Sequence, residues 1–243
     1  MTLHKAQRIT LPALYAVLDP EHIGTRSPES VLRQLLQGGA EMIQLRAKAM
    51  SSRDFIHLAQ TARELTAPFD CKLIVNDRID IALGSAADGV HLGQEDLPLQ
   101  AARKLLADRL IGVSTHSLEQ AKEAEANGAD YIGFGPIFGT VTKNTGYTAR
   151  GLEMLARIRA AVALPIVAIG GITAANIQDV WQAGADSAAI ISDILKSEEV
   201  AAKVSAILAR RSAPGALVNN MSKSSFHHPP ENRYFEDYVR GAV

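Results

Sequence analysis

Residues Asn127 to Gly151 read NGADYIGFGPIFGTVTKNTGYTARG, and within them the chain closes one element, builds a second and loops toward a third. Gly128–Ala129 ends an amphipathic stretch, as glycine commonly does after a last helical turn. Tyr131, Ile132 and Phe134 then make a short apolar run of strand type, which Gly133, Gly135 and Pro136 bring to a stop. The residues that follow are poor in bulky apolar groups but include Thr140, Thr142, Lys143 and further glycine. Hydroxyls, backbone N–H groups and a flexible cation are what a loop needs to hold a phosphate or pyrophosphate. A solvated surface loop is the plainer reading, yet a loop of this size is uncommon unless it binds something or is disordered.

The same ending recurs at Gly39–Ala40 and Gly184–Ala185, each leading from an amphipathic stretch into an apolar run. Eight such runs can be traced, near Leu14 to Leu18, Met42 to Leu45, Leu73 to Val75, Gly89 to Leu92, Leu110 to Val113, Tyr131 to Phe134, Ile166 to Ile169 and Ser187 to Ile191. Most are apolar at successive positions, which suits parallel strands buried on both faces. Pro28 to Gln37, Ser52 to Thr66, Leu118 to Asn127, Gly151 to Ala161, Ala174 to Gln182 and Ser197 to Ala209 read as helices. Ser27, Ser51, Ser117 and Thr173 are their cap candidates. Alternation of this kind favours a closed (β/α)8 TIM barrel, with an open doubly wound sheet as runner-up. One domain is expected over residues 13–209, after a lead-in over 1–12. Residues 210–243 have turn formers and aromatics without helical period, and are expected to be a disordered tail.

A chain of 243 residues, 47% of them hydrophobic, can bury a large core. Its net charge of −1, with both signs scattered, offers no basic stripe for a nucleic acid. Cys71 is the only cysteine, which excludes an intrachain disulfide framework and makes a reducing cytoplasm the simplest expectation. No apolar run approaches a membrane span and no secretory signal opens the chain, so no membrane partner is expected.

In a barrel, every residue just past a strand lies on one rim, where active sites of this fold sit. Asp19 follows the first run, Gln44, Arg46 and Lys48 the second, Asn76, Asp77 and Arg78 the third, and Gln94, Glu95 and Asp96 the fourth. Ser114 and His116 follow the fifth, Thr140, Thr142 and Lys143 the sixth, Gly170 and Gly171 the seventh, and Ser192 the eighth. The opposite strand ends carry little beyond glycine, alanine and helix-capping acids.

Alternation in QLRAK sends Gln44, Arg46 and Lys48 to one side, a set suited to a multiply charged ligand, although surface cations at a strand end are common. Asp77 and Asp96 come from different loops and resemble a Mg2+ arrangement, while either could simply cap a helix. The GGI at Gly170 to Ile172, with Ser192, fits the phosphate site that barrels often build after strands seven and eight; tight-turn glycines are the plainer account. Two anion sites and a metal imply two-substrate phosphate chemistry.

QLRAK, VNDRIDIA, GVHLGQEDL, GVSTHS, DYIGFGPIFGTVTK, PIVAIGGI and the Ser192–Ile194 stretch, in this order, resemble the thiamine phosphate synthase family from about Leu14 to Leu208. The resemblance implies a transferase of thiamine biosynthesis that couples hydroxymethylpyrimidine diphosphate to thiazole phosphate with Mg2+, releasing pyrophosphate. It places Gln44, Leu45, Arg46, Ala47, Lys48, Asn76, Ser114 and Lys143 around the pyrimidine diphosphate, with Arg46, Lys48, Ser114 and Lys143 catalytic. Asp77 and Asp96 fall on the metal, and Thr140, Val141, Thr142, Gly171, Ile191 and Ser192 around the thiazole phosphate. Gly139 stands where the family usually has proline, Ala47 where an acid is frequent, and Asp193 where a small apolar residue is frequent. Two other readings stay open: an isomerase resembling thiazole tautomerase, and a non-catalytic binder of a thiamine precursor. Homo-oligomerisation also stays open.

Overall fold

The structure, a computed structural model, describes residues 9–139 and 148–212. Eight parallel strands close into a barrel in sequence order: β1 (Leu14–Leu18), β2 (Met42–Leu45), β3 (Lys72–Asn76), β4 (Gly89–Leu92), β5 (Leu110–Thr115), β6 (Tyr131–Phe134), β7 (Ile166–Ile169) and β8 (Ser187–Ile190). β8 pairs back onto β1, Leu14 opposite Ala188. Outside them lie α1 (Pro28–Gln37), α2 (Ser52–Thr66), α3 (Ile79–Gly84), α4 (Leu99–Leu106), α5 (Leu118–Ala126), α6 (Gly151–Ala161), α7 (Ile177–Gln182), α8 (Ser192–Leu195) and α9 (Val200–Ser212). No helix among the described residues is long and apolar enough to cross a membrane.

Successive apolar positions become strands here because both faces are covered, one by helices and the other by the barrel interior. β1, β2, β4, β6 and β8 are buried along their whole length. Each helix turns one stripe inward, as α1 does with Val31, Leu32, Leu35 and Leu36. Ser27, Ser51 and Ser117 accept the N–H groups of Ser30, Asp54 and Gln120 and so cap their helices as expected.

Thr173 does not cap α7. That helix starts three residues later than the sequence suggests, because Asn176 folds back to accept the Thr173 N–H at 2.8 Å and holds the intervening residues as a turn. α9 reaches Ser212, past the expected boundary at Ala209, with Arg211 lying over the Trp181 ring at 5.2 Å. Residues 1–8 and 213–243, which include most of the expected lead-in and tail, lie outside the described residues.

The end of the barrel away from the strands' carboxyl termini is more organised than its composition suggests. Asp88, Asp130 and Asp186 stand just before β4, β6 and β8. Each carboxylate accepts the N–H of a residue in or entering the preceding strand: Leu73 at 2.8 Å, Ile111 at 2.7 Å and Ile166 at 2.8 Å. Each also pairs with an arginine from the helix before that strand, Arg63 at 3.0 Å, Arg103 at 2.6 Å and Arg159 at 2.9 Å. These acids therefore clamp strands and do not cap helices, as the sequence had implied for that face. Each clamp spans a helix–strand–helix–strand unit and recurs in the next.

Candidate active site

At the carboxyl ends of the strands a cavity of about 950 Å³, counting its open mouth, reaches down into the barrel. Tyr15, Gln44, His91, Ser114 and Gly133 line its depth, and Gly171, Ile191 and Ser192 line the side formed after β7 and β8. Interior glycines make that depth possible. A Cβ on Gly112 would lie 2.1 Å from the Tyr131 ring, and one on Gly133 would lie 2.9 Å from His91.

A chain of hydrogen bonds crosses the floor. Gln44 Nε2 donates to the Tyr15 hydroxyl at 3.0 Å, and that hydroxyl meets the Tyr131 hydroxyl at 3.0 Å. Tyr131 then approaches His91 Nδ1 at 3.3 Å, and His91 Nε2 lies 2.9 Å from Ser114 Oγ. Burial pushes both tyrosine pKa values upward, so both phenols stay neutral. The floor thus sets two neutral phenols beside Gln44, His91 and Ser114, hydrogen-bonding groups suited to a polar heteroaromatic ring.

On the other side of the rim the groups are charged. Ala47, Lys48, Asn76 and Asp77 line a shallower hollow, in which Lys48 Nζ lies 3.2 Å from Asp77 Oδ2. Asp77 adopts a left-handed backbone with φ 64°, a conformation Asp tolerates better than most residues. It does not cap α3, whose cap position is held by Arg78 without a side-chain bond. Asp96 does not cap α4 either; its carboxylate folds back onto the Gly93 N–H at 2.6 Å. Burial first, then the neighbouring Asp77 carboxylate, raises the Asp96 pKa, against the pull of the Gly93 N–H and Lys48.

Two carboxylates crowded in this way fit a divalent cation, and oxygen donors suit Mg2+. Among the described residues no group of three or more His, Cys, Asp or Glu forms a fuller cage. A cation held by Asp77 and Asp96 would complete its shell with water and substrate oxygens.

The structure brings Gln44, Ser114, Gly171, Ile191 and Ser192 to the main cavity and Ala47, Lys48, Asn76 and Asp77 to the hollow beside it. Leu45 is fully buried in β2. Arg46 turns to the fully buried Asp19, Nη1 donating to Oδ2, while its buried Nε has no hydrogen-bond partner among the described residues. Thr140, Val141, Thr142 and Lys143 lie outside the described residues. Gly171, with φ 65°, has no room for a side chain: a Cβ would meet Gly139 O at 2.6 Å and Phe138 Cβ at 2.8 Å. Among the described residues nothing lies within 4 Å of where a Cβ on Gly139 would stand. Cys71 is buried with its pKa raised to about 12, chiefly by desolvation, and is no nucleophile.

Tyr15, His91 and His116 line the cavity, and Tyr131 joins Tyr15 to His91 behind it, without having been singled out as binding residues from the sequence. His91 left the clearest signal, as a titratable side chain inside an otherwise apolar strand. The tyrosines read as ordinary strand residues.

The thiamine monophosphate synthase family model matches residues 14–194. The thiamine-phosphate synthase of Chloroflexus aurantiacus is 46% identical over 189 residues, covering 78% of this chain and 88% of its own. That of Moorella thermoacetica is 46% identical over 190 residues, covering 78% and 90%. Among solved structures, a thiamine phosphate pyrophosphorylase from Pyrococcus furiosus superposes with a TM-score of 0.75 at 37% identity, over 82% of this chain and 96% of its own.

Proposed function

Because the chain belongs to the thiamine monophosphate synthase family, we propose that it is a transferase joining 4-amino-2-methyl-5-(diphosphooxymethyl)pyrimidine to 4-methyl-5-(2-phosphooxyethyl)thiazole. The products are thiamine phosphate and pyrophosphate. The observation that carries this reading is the division of one rim into a hydrogen-bonding floor, a charged acid–lysine side and a glycine-lined side. Two phosphorylated substrates need that division; a single phosphate ester does not.

In the proposed reaction the methylene carbon of the pyrimidine loses its bond to the diphosphate oxygen, which keeps the electron pair. The thiazole nitrogen donates its lone pair to the same carbon, giving the thiazolium without any proton transfer. Gln44, Ser114 and the tyrosine–histidine chain orient the aminopyrimidine, whose electron-rich ring stabilises positive charge at that carbon. Lys48, Arg46, Asn76 and Lys143 are assigned to the departing diphosphate, where electrostatic stabilisation gives the largest gain. Mg2+, held by Asp77 and Asp96, would supply further charge neutralisation to the diphosphate oxygens. Thr140, Val141, Thr142, Gly171, Ile191 and Ser192 hold the thiazole phosphate and bring its ring nitrogen into line. A reducing cytoplasm suits the single buried thiol.

The test is incubation of the purified protein with both precursors and Mg2+, followed by assay of thiamine phosphate and pyrophosphate. Stoichiometric appearance of both products supports the reading. Isomerisation of the thiazole alone, or binding without turnover, overturns it.

A further inference from the structure

Asp193 directly follows Ser192, one of the residues assigned to the thiazole phosphate. A carboxylate beside a site for an anion should weaken it, so its surroundings decide what it does. Asp193 Oδ2 accepts the Ala174 N–H at 2.9 Å. Lys203, from α9, reaches Oδ2 at 3.0 Å and Oδ1 at 3.1 Å. Both side chains are mostly covered, 27% exposed for Lys203 and 23% for Asp193.

Ala174 belongs to the turn that follows β7, and Asn176 braces that turn from within. Asn176 Oδ1 accepts the Thr173 N–H at 2.8 Å, and Nδ2 donates to the Gly171 carbonyl at 3.0 Å. A continuous path therefore runs from Gly171 through Asn176 and Ala174 to Asp193 and so to Ser192. These are the two walls between which the phosphate is assigned.

We propose that Asp193 is a positioning residue that fixes the separation of Gly171 and Ser192, while Lys203 cancels its charge so that a phosphate monoester is not repelled. The inference rests on the assignment of the thiazole phosphate to those two walls. It makes the acid beside Ser192 a tie between neighbouring loops, with a partner on α9 to match.

The variants are Asp193→Ala, Asp193→Asn, Lys203→Met and the double variant Asp193→Asn/Lys203→Met. Asp193→Ala should raise KM for thiazole phosphate about tenfold while kcat at saturation changes less than about threefold and KM for the pyrimidine diphosphate stays put. Asp193→Asn keeps an acceptor for the Ala174 N–H, so its rise should be smaller, about threefold. Lys203→Met leaves the acid uncompensated and should raise the same KM; removing the charge in the double variant should bring it back toward wild type. Thermal melting of each variant separates loss of fold from loss of positioning.

Unchanged or lowered KM for thiazole phosphate in Asp193→Ala overturns the proposal, as do equal rises for both substrates. Calorimetric titration of the wild type with thiazole phosphate alone distinguishes the two layers. No binding there, with no thiamine phosphate formed from both precursors, overturns the underlying assignment and the tie with it. Normal wild-type binding and turnover with an unresponsive Asp193→Ala overturns the tie alone.

Discussion

Asp88, Asp130 and Asp186 at one end of the barrel and Asp77 and Asp96 at the other are carboxylates of one chemical type in opposite circumstances. Each of the first three holds a backbone N–H and an arginine. The other two face each other, and the pKa of Asp96 rises in consequence of burial and of that neighbour. Nearby, Arg46 keeps a buried Nε that has no hydrogen-bond partner among the described residues. At the end that secures the fold each acid meets an opposite charge, whereas at the other end two acids are set against each other even though Lys48 pairs with Asp77 and Arg46 with Asp19 there. Removing an acid should therefore have opposite consequences at the two ends.

Asp77→Asn should lower kcat by ~10²-fold or more, about 2.7 kcal/mol of transition-state stabilisation, and raise the Mg2+ concentration needed for half-maximal rate. Its stability should stay within about 0.5 kcal/mol of wild type, since Lys48, the partner it loses, is 56% exposed. Steady-state rates across a Mg2+ series, with a denaturation curve, check both. An unaltered Mg2+ dependence would break the contrast.

Asp130→Ala should do the reverse, costing roughly 2–3 kcal/mol of stability with KM and kcat little changed, because the Ile111 N–H and Arg103 lose their common partner. Arg103→Met should cost less, since the Ile111 N–H keeps its acceptor. Urea midpoints rank the two, and equal losses would show that the ion pair and not the strand contact is what counts.

The end of α9 gives a smaller effect. A chain cut after Ala209 loses Arg211 from the face of Trp181 and should be less stable by about 0.5–1 kcal/mol, and so melt earlier, whereas a cut after Ser212 should not. Identical melting of the two truncations would remove α9's last turn from the fold's support.

The smallest effect sharpens the contrast most. Asp96 binds its proton more tightly folded than unfolded, so its charged form burdens the fold above the raised pKa. That burden disappears as pH falls below the unfolded value of about 4. Asp96→Asn, without divalent cations, should therefore be more stable than wild type at neutral pH, by ~0.5 kcal/mol once solvent screening is allowed for. The gain should shrink on acidification, and added Mg2+ should stabilise wild type and not the variant. Thermal melts across pH, with and without Mg2+, read this out; a variant less stable at pH 7 contradicts it.

The barrel was legible because its signals are local. Apolar runs, capping serines and the glycine–alanine endings each sit within one unit, and β1, β2, α1 and α2 fall where the residues place them. Short helices such as α3 and α8 have too few residues to show a period, so the sequence did not delimit them. The rim was legible as a list of polar residues after strands. What stayed hidden depends on contacts between distant strands. Nothing near Tyr15 announces Tyr131, 116 residues away, and nothing near Asp193 announces Lys203 and Ala174 together. Asp130 was visible, but its task was not, since a clamp and a cap use the same side chain.

The recurrence of the clamps divides the molecule into modules. Each runs from a helix through two strands: α2 to β4, α4 to β6, and α6 to β8. The joints between modules are the segments after β2, β4 and β6, which carry Lys48, Asp96 and Lys143. A joint can be lengthened, shortened or rewritten without loosening a clamp. A gene built from such modules is free to trade its chemistry at the joints while inheriting its architecture whole, and new termini opened at those joints should be the ones this barrel tolerates.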